Sequence, residues 1–516
     1  MRLSTSIILL SVLGWGCSYR ILLVFPLPGV RSHSILGEGI VRHLLAAGHN
    51  VTYITAVPSK LSAPELRQID VSSIKKVFHA EDFCDIDKVL GQGKEIEFHH
   101  LDILRRHLMV ANYTATHKRV QELMMDPQEQ FDLVILDWIS TEFLAGLSPV
   151  LKCPFTWLSS MEPHGRVLSL VDEWPSPAYV PRSHSRATPP LTFAQRATEL
   201  WNMLAIMYTK WQLMSEEQAL YERAFGRAAA ARGRRLPPLE AVKYNASLML
   251  GNSHAATGLA IKLPQSYVPV AGFHIQEEPL PHNLLKIMDD AHDGVIYFSM
   301  GSLLKSRRMP DTLKQGLLAM FGSLRQTVIW KLEETPENVP KNVHIFSFVP
   351  QQSVLAHPNC ILFITHGGQL STTEALHFAV PILGVPVFGD QFRNIFRAVQ
   401  KGFARHARAG LELPRDLKTE IQEMIGNPKY REVARELSLM YHDRRATGAE
   451  LVQWVERVVR TRGAPHLRSP ALLVPWYQKM YLDLMSLVVG VVLVIYFAVI
   501  RVLCMVKKID LIKKNR

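Results

Sequence analysis

None of the five cysteines in this 516-residue chain forms a Cys-x-x-Cys pair. Cys17, Cys84, Cys153, Cys360 and Cys504 are too scattered for a structural zinc site. Once Cys17 is assigned to a leader and Cys504 to a membrane span, an odd number remains, and Cys84, Cys153 and Cys360 are expected as buried thiols. The first strand-to-helix turn, Pro26-Leu27-Pro28-Gly29-Val30-Arg31-Ser32-His33-Ser34, lacks the G-x-G-x-x-G fingerprint. That argues against a dinucleotide in the N-terminal half. No basic stripe with interleaved aromatics is present, so nucleic acid is not expected as a partner. There is also no internal repeat.

The net charge of +12 is partly local. Five basic residues and one acid fall in residues 507–516, which accounts for a third of the excess. An Arg/Ala-rich segment at residues 223–235 reads as a solvated helix and loop. Hydrophobic content of 48% with 20% charged residues fits a globular protein carrying some membrane sequence. Its length allows two large domains.

Both termini carry targeting patterns. Arg2 is followed by an apolar run over residues 3–13 and then by Gly14, Gly16 and Ser18, the pattern of a cleaved secretory signal over residues 1–18. Residues 484–506 are apolar except for Ser486 and Arg501, long enough to cross a bilayer. Lys507 and Lys508 follow at once and belong on the cytosolic side. The body is therefore expected in the lumen, with a tail over residues 507–516 in the cytosol. The ending Lys513-Lys514-Asn515-Arg516 has the lysine positions of an endoplasmic-reticulum retrieval signal. Sequons at Asn50, Asn112 and Asn245 agree with a lumenal body. Asn50 opens a predicted buried strand, which counts against glycosylation there.

Between the termini the pattern is α/β. Apolar runs predict strands at residues 21–25, 51–55 and 131–136, with a helix over residues 34–47 between the first two. This is a βαβ unit of a parallel sheet. Helical spacing fills residues 192–232. A Pro-rich passage at residues 263–284 reads as an interdomain connection. A second α/β series follows, with strands at 295–300, 327–331, 343–346, 360–365 and 381–385. The division expected is a Rossmann-like domain over 19–275, a second over 276–465, a membrane-proximal segment over 466–483 and the span. Ligands of such sheets bind beyond the carboxyl ends of the strands.

The most informative stretch is Val349 to Gln391, VPQQSVLAHPNCILFITHGGQLSTTEALHFAVPILGVPVFGDQ. Its strand runs into His366-Gly367-Gly368 and then into a helix containing Glu374. Strand, glycine turn and helix N-terminus form an anion cradle, because backbone N–H groups and the helix dipole converge there. Glu374 lies eight residues after His366, just over two turns, and returns to the same face. A phosphate together with hydroxyl groups suits this arrangement.

That stretch, with Phe298-Ser299-Met300-Gly301-Ser302 and GAPHLRSPA at residues 463–471, resembles the animal UDP-glycosyltransferases. The closing Trp476-Tyr477-Gln478 is most similar to the insect branch. The resemblance implies a GT-B fold, an inverting reaction without a catalytic metal or other cofactor, an acceptor-binding N-terminal domain and a UDP-sugar-binding C-terminal domain. It places a catalytic histidine at His33, which the residues alone would equally allow as an incidental member of a helix N-cap region. It places the partner carboxylate at Asp137, at the end of a strand. Asp132, the rival, would lie at the wrong end of the sheet. His366, N–H groups near Gly368 and Ser371, and Ser302 are implied diphosphate contacts. Glu374 can accept both ribose hydroxyls, Gln351 can read the uracil edge, and Phe348 can stack on uracil or belong to the core. Asp390 and Gln391 are implied sugar contacts, with Asn394 beside them. Many relatives carry Trp where this chain has Phe348, and Asn where it has Leu370.

The expected function is inverting transfer of a hexose, glucose by preference, from a UDP-sugar to a hydroxyl of a small lipophilic acceptor, as in detoxification. UDP-glucuronate is the alternative donor, and a non-catalytic membrane ligand-binding protein is the reading from another class. The expected location is the endoplasmic-reticulum membrane, and a homo-oligomer is left open.

Overall fold

Apolar runs buried on both faces are what a parallel sheet covered by helices requires, and they dominate both halves of the chain. The computed structural model describes residues 18–78, 87–91, 100–302 and 308–515. Most of the expected leader, and Cys84, lie outside them.

The first sheet contains β1 (Arg20–Phe25), β2 (Asn50–Thr55), β3 (Leu66–Asp70), β4 (Leu133–Asp137), β5 (Phe155–Ser159), β6 (Met249–Gly251) and β7 (Tyr267–Pro269). Its order is β3-β2-β1-β4-β5-β6-β7, and all pairings are parallel. The second contains β8 (Val295–Ser299), β9 (Thr327–Lys331), β10 (Val343–Phe346), β11 (Cys360–Thr365), β12 (Ile382–Gly384) and β13 (Ala404–His406). Its order is β10-β9-β8-β11-β12-β13, again parallel throughout. Each order reverses direction once, between β1 and β4 and between β8 and β11. These two switch points are where doubly wound sheets open a crevice for ligand.

The helices that frame the crevice are α1 (Arg31–Ala46), α2 (Phe193–Ala231), α3 (Gln351–Ala356), α4 (Gln369–His377) and α5 (Gln391–Lys401). The start of α2 is fixed by a capping box. Gln195 N–H donates to Thr192 Oγ1, and Thr192 N–H donates to Gln195 Oε1. Helix α6 (Thr447–Arg460) follows the second sheet in sequence but buries Leu451, Val455 and Val458 among first-sheet residues such as Ile21, Leu23 and Leu133. The chain thus returns to the N-terminal half before it leaves for the last helix, α7 (Leu482–Lys514). Within α7, the 28 residues Leu482–Ile509 form a helix long and apolar enough to cross a membrane, with none of it buried. The expected span of 484–506 is therefore part of a longer helix that carries Lys513 and Lys514 in its last turn.

Several expectations need correction. Helix α1 starts at Arg31, so His33 sits in the first turn of a helix and not in a loop. Its N-cap is Val30, and Ser34 does not cap, because its hydroxyl donates back to the Arg31 carbonyl at 2.8 Å. Helix α3 starts at Gln351 itself, the residue expected to read the uracil edge. The Pro-rich passage at 263–284 contains β7, the edge strand of the first sheet. Pro269 closes that strand, at the edge position that tolerates a residue without an N–H. Asn50 is exposed at the start of β2, and its amide reaches the Ser18 hydroxyl at 2.9 Å. Cys153 and Cys360 are free and buried, as expected.

Candidate active site

Adjacent strands at the first switch point deliver the first pair of polar side chains. β1 and β4 pair in register from Ile21↔Leu133 to Val24↔Leu136. Asp137, the last residue of β4, therefore lies beside the exit of β1 that leads into α1 and His33. His33 Nδ1 lies 2.7 Å from Asp137 Oδ2. Asp137 is 1% exposed, and its Oδ1 has no hydrogen-bond partner among the described residues. Burial alone would lower the His33 pKa, but the charge and hydrogen bond of Asp137, with a smaller contribution from Asp390, outweigh it and hold that pKa above its ordinary value. With Nδ1–H given to the carboxylate, Nε2 carries the lone pair, and it faces the Ser160 hydroxyl at 3.3 Å. Ser160 is the residue after β5, a strand that the sequence pattern missed. Asp132 instead accepts from the Arg20 backbone N–H at 2.7 Å, at the opposite end of the sheet.

The second switch point builds the anion cradle. His366 follows β11, Gly301 and Ser302 follow the adjacent β8, and Gly368 is the N-cap of α4. No side chain caps this helix, so its first N–H groups remain available to a ligand. Two glycines are required by the imidazole between them. A Cβ on Gly301 would stand 2.5 Å from His366 Cε1, and one on Gly368 would stand 2.7 Å from His366 Nε2. Gly301 also has φ +79°, a conformation that side chains disfavour. Burial, assisted by the nearby Lys331 charge, pushes the His366 pKa down to about 4. The ring is therefore a neutral donor near neutral pH. Lys331 ends β9 and donates to the Gly301 carbonyl at 3.1 Å. This ammonium at the cradle was missed, although a basic residue closing a correctly placed strand was a readable signal.

Further along α4, Glu374 is 3% exposed and serves as a polar hub. Gln352 donates to Oε1 at 2.8 Å, His274 lies 3.2 Å from the same oxygen, and Gln351 donates to Oε2. Gln351 also reaches Ser371 Oγ at 3.2 Å, so its amide is engaged within the protein. Phe348 is 73% exposed and lines the cleft, which excludes the core alternative. Asp390 occupies the N-cap position of α5, beyond β12, without a side-chain cap, and its Oδ2 accepts from Asn394 at 3.1 Å. Burial raises its pKa, against the Asn394 hydrogen bond and the Arg393 and His33 charges. Asn394 also donates to the Gly367 carbonyl at 3.0 Å, tying this loop to the cradle. Gln391 uses Oε1 to accept from the Val387 and Phe388 N–H groups, at 2.9 and 3.1 Å. Half of its amide is thus committed to the loop. Leu370, where a polar residue was considered, is 8% exposed and packs into the first-sheet core cluster.

All eleven predicted site residues line one cavity of about 870 Å³ or lie within its wall; Asp137 stands behind His33. The two switch points face each other across it, and a cavity of this size accommodates a nucleotide-sized donor with a second small molecule. A family model described as UDP-glucoronosyl and UDP-glucosyl transferase matches residues 21–516. The chain belongs to this family. UDP-glycosyltransferase UGT5 of Dactylopius coccus is 31% identical over 514 residues, covering 96% of this chain and 95% of the relative. UDP-glucosyltransferase 2 of the same organism is 29% identical, covering 90% and 89%. UDP-glucuronosyltransferase 2C1 of Oryctolagus cuniculus is 28% identical, covering 90% and 94%. Among solved structures, the calicheamicin glycosyltransferase CalG4 superposes with a TM-score of 0.57 at 18% identity, covering 87% of this chain and all 100% of that one. The glycotransferase of kitacinnamycin gives 0.56 at 16%, covering 86% and 99%. This UDP-glycosyltransferase therefore has the GT-B fold, two Rossmann-like domains facing a cleft.

Proposed function

We propose that this UDP-glycosyltransferase moves glucose from UDP-glucose to a hydroxyl of a small lipophilic acceptor, with inversion at the anomeric carbon. The observation that carries the reading is the His33 Nδ1 to Asp137 Oδ2 contact of 2.7 Å, with Nε2 left facing a hydroxyl in the cleft. Ser160 Oγ marks where an acceptor oxygen would approach. His33 Nε2 takes the acceptor proton, and Asp137 holds the ring and stabilises the imidazolium. The acceptor oxygen bonds to the anomeric carbon from the face opposite UDP. The bond to the diphosphate oxygen breaks, and its electron pair leaves with UDP. His366, the uncapped N–H groups of α4, Ser371 and Ser302 receive that charge. Glu374 takes the ribose hydroxyls, Phe348 the uracil face, and Asp390 with the remaining amide of Gln391 the sugar hydroxyls. Two relatives from an insect carry glucosyltransferase or glycosyltransferase names, which favours glucose as the donor sugar.

The test is full-length wild type and His33→Ala in microsomes, supplied with UDP-glucose or UDP-glucuronate and a phenol panel, read by mass spectrometry. A glucoside that disappears in the variant is the expected result. Unchanged glucoside formation in His33→Ala removes the mechanism. A glucuronide in place of the glucoside reassigns the donor, and no product from any UDP-sugar favours a binding protein. We place the body in the lumen of the endoplasmic reticulum, with α7 as its anchor and Lys513-Lys514 as its retrieval signal. Replacing both lysines by serine should release the protein to later compartments.

A further inference from the structure

The acceptor end of the cleft is mostly apolar. Ile103, Leu104, Met161, Met203 and Ile206 line it. A cation is nevertheless set into that wall. Arg166 places its guanidinium carbon 5.1 Å from the centroid of Trp138, and Nη2 donates to the Ser140 carbonyl at 2.8 Å. Both partners belong to the segment just after Asp137, so the guanidinium is anchored beside the dyad. A guanidinium offers five N–H groups. The Nε–H of Arg166 is buried with no partner among the described residues, so the guanidinium is under-satisfied by the protein itself.

The neighbouring acids do not fill the vacancy. Glu142 is the carboxylate that acts on Arg166. Its oxygens are already held by Lys210 Nζ at 2.9 and 2.8 Å and by Trp138 Nε1 at 3.1 Å. Arg182 lines the same wall and also has a buried, unpartnered Nε. Glu199 accepts from the backbone N–H of Arg182 at 3.0 Å rather than from its side chain. The nearby imidazoles are that of His107, held neutral by burial with Arg166 contributing, and that of the exposed His184. His107 adds a hydrogen-bonding dipole without competing charge. Arg166 and Arg182 thus line the same cleft as the apolar side chains above, beside Glu199 and several imidazoles. A low-dielectric wall strengthens any charge placed against it.

We propose that Arg166, with Arg182, forms an anion subsite of the acceptor pocket, and that the preferred acceptor is a flat, largely apolar hydroxy acid. Its hydroxyl meets His33 and its carboxylate meets the Arg166 guanidinium. Trp174, packed against Gly165, supplies a flat face for an aromatic body, and Trp138 backs the guanidinium from beneath. This assignment rests on the transferase reading above, because it takes that lobe as the acceptor site.

The test uses the full-length protein in lipid nanodiscs with para-coumarate and its methyl ester as paired acceptors. Two quantities are read: kcat/KM for the phenolic glucoside, and acceptor affinity from quenching of tryptophan fluorescence. Wild type should prefer the acid over the ester by about 10-fold or more, as a charge-assisted pair in a dry site predicts. Arg166→Met should cost the acid at least about 10-fold more than it costs the ester, through KM, and Arg166→Lys should recover part of the difference. An ester preferred by the wild type, or equal losses for acid and ester in Arg166→Met, overturns the proposal. If neither acceptor is glycosylated with any UDP-sugar, the transferase reading fails and binding decides the subsite. Acid-selective quenching that Arg166→Met abolishes upholds it, and quenching that does not distinguish acid from ester overturns it.

Discussion

Asp137→Asn isolates the electrostatic half of the proposed dyad while leaving the packing of β4 nearly unchanged. The carboxylate is buried and makes a single 2.7 Å contact with His33. Two unit charges about 4 Å apart at an effective dielectric of about 20 attract by roughly 4 kcal/mol. His33 opens onto the cleft, where solvent weakens the pairing. The sign follows from the two opposed causes. In the wild type Asp137 overcomes the burial that lowers the His33 pKa. The variant keeps the burial and loses the carboxylate, so the pKa of His33 falls. A general base must be neutral to act. In the wild type, kcat/KM therefore rises with pH through a midpoint above the usual histidine value and then levels. In Asp137→Asn that midpoint moves to lower pH, while the plateau falls by about 10²–10⁴ because the imidazolium is no longer stabilised and the ring no longer held in one tautomer. The assay is kcat/KM for glucoside formation across the pH range, with the donor saturating. An unmoved or raised midpoint, or a plateau equal to wild type, would refute the coupling.

Three further substitutions address the donor half. Phe348→Ala removes an exposed ring from the cleft wall and should weaken UDP binding by about 1–3 kcal/mol with little change in kcat; calorimetry with UDP reads it, and Phe348→Trp should move affinity the other way. Lys331→Met removes the ammonium beside His366 and should lower affinity for UDP by about 10-fold while sparing uridine, since the loss is confined to the diphosphate. Equal losses for both ligands would place Lys331 elsewhere in function. Gly301→Ala puts a methyl into the His366 ring at a positive φ, and should reduce kcat/KM by about 10-fold or more together with a lower melting temperature.

The second domain was legible nearly strand by strand, and the first only at β1, β2 and β4. β9, β10 and β11 fall on the residues their apolar runs predicted, because each is a short buried run bounded by turn residues. β6 and β7 have three residues each, too few to show a period, and β7 is bounded by proline. β3 lies on the sheet edge, and its LRQID alternates only weakly. The sequence motif located the cradle because strand, glycine turn and helix are contiguous there. It did not reveal Ser160, Lys331, His274 or Arg166, which come from separate segments and meet only when the sheets are closed. The start of α1 was misplaced for a local reason. Ser34 turns its hydroxyl back to Arg31, so no capping side chain marks the first turn that carries His33.

The position of the cradle within the molecule follows from the residues that come directly after it. Gly368 opens α4, and the next two side chains point out of the second domain. Gln369 donates to Glu162 Oε1 at 2.9 Å and to the Asn252 carbonyl at 3.2 Å, while Leu370 enters the first-sheet core. Glu162 also meets Arg397 at 3.7 Å, and Arg393 donates to the Pro163 carbonyl at 3.2 Å, both from α5. The first turn of α4 therefore keeps its N–H groups at the cradle while Gln369 and Leu370 reach into the other domain. A polar group at position 370 would face apolar first-sheet residues without a partner, at a cost of about 1–3 kcal/mol. Leu370 thus suits this interface better than an asparagine would, and under the proposed function Ser371, one residue on, and Lys331 across the cradle are left to meet the diphosphate.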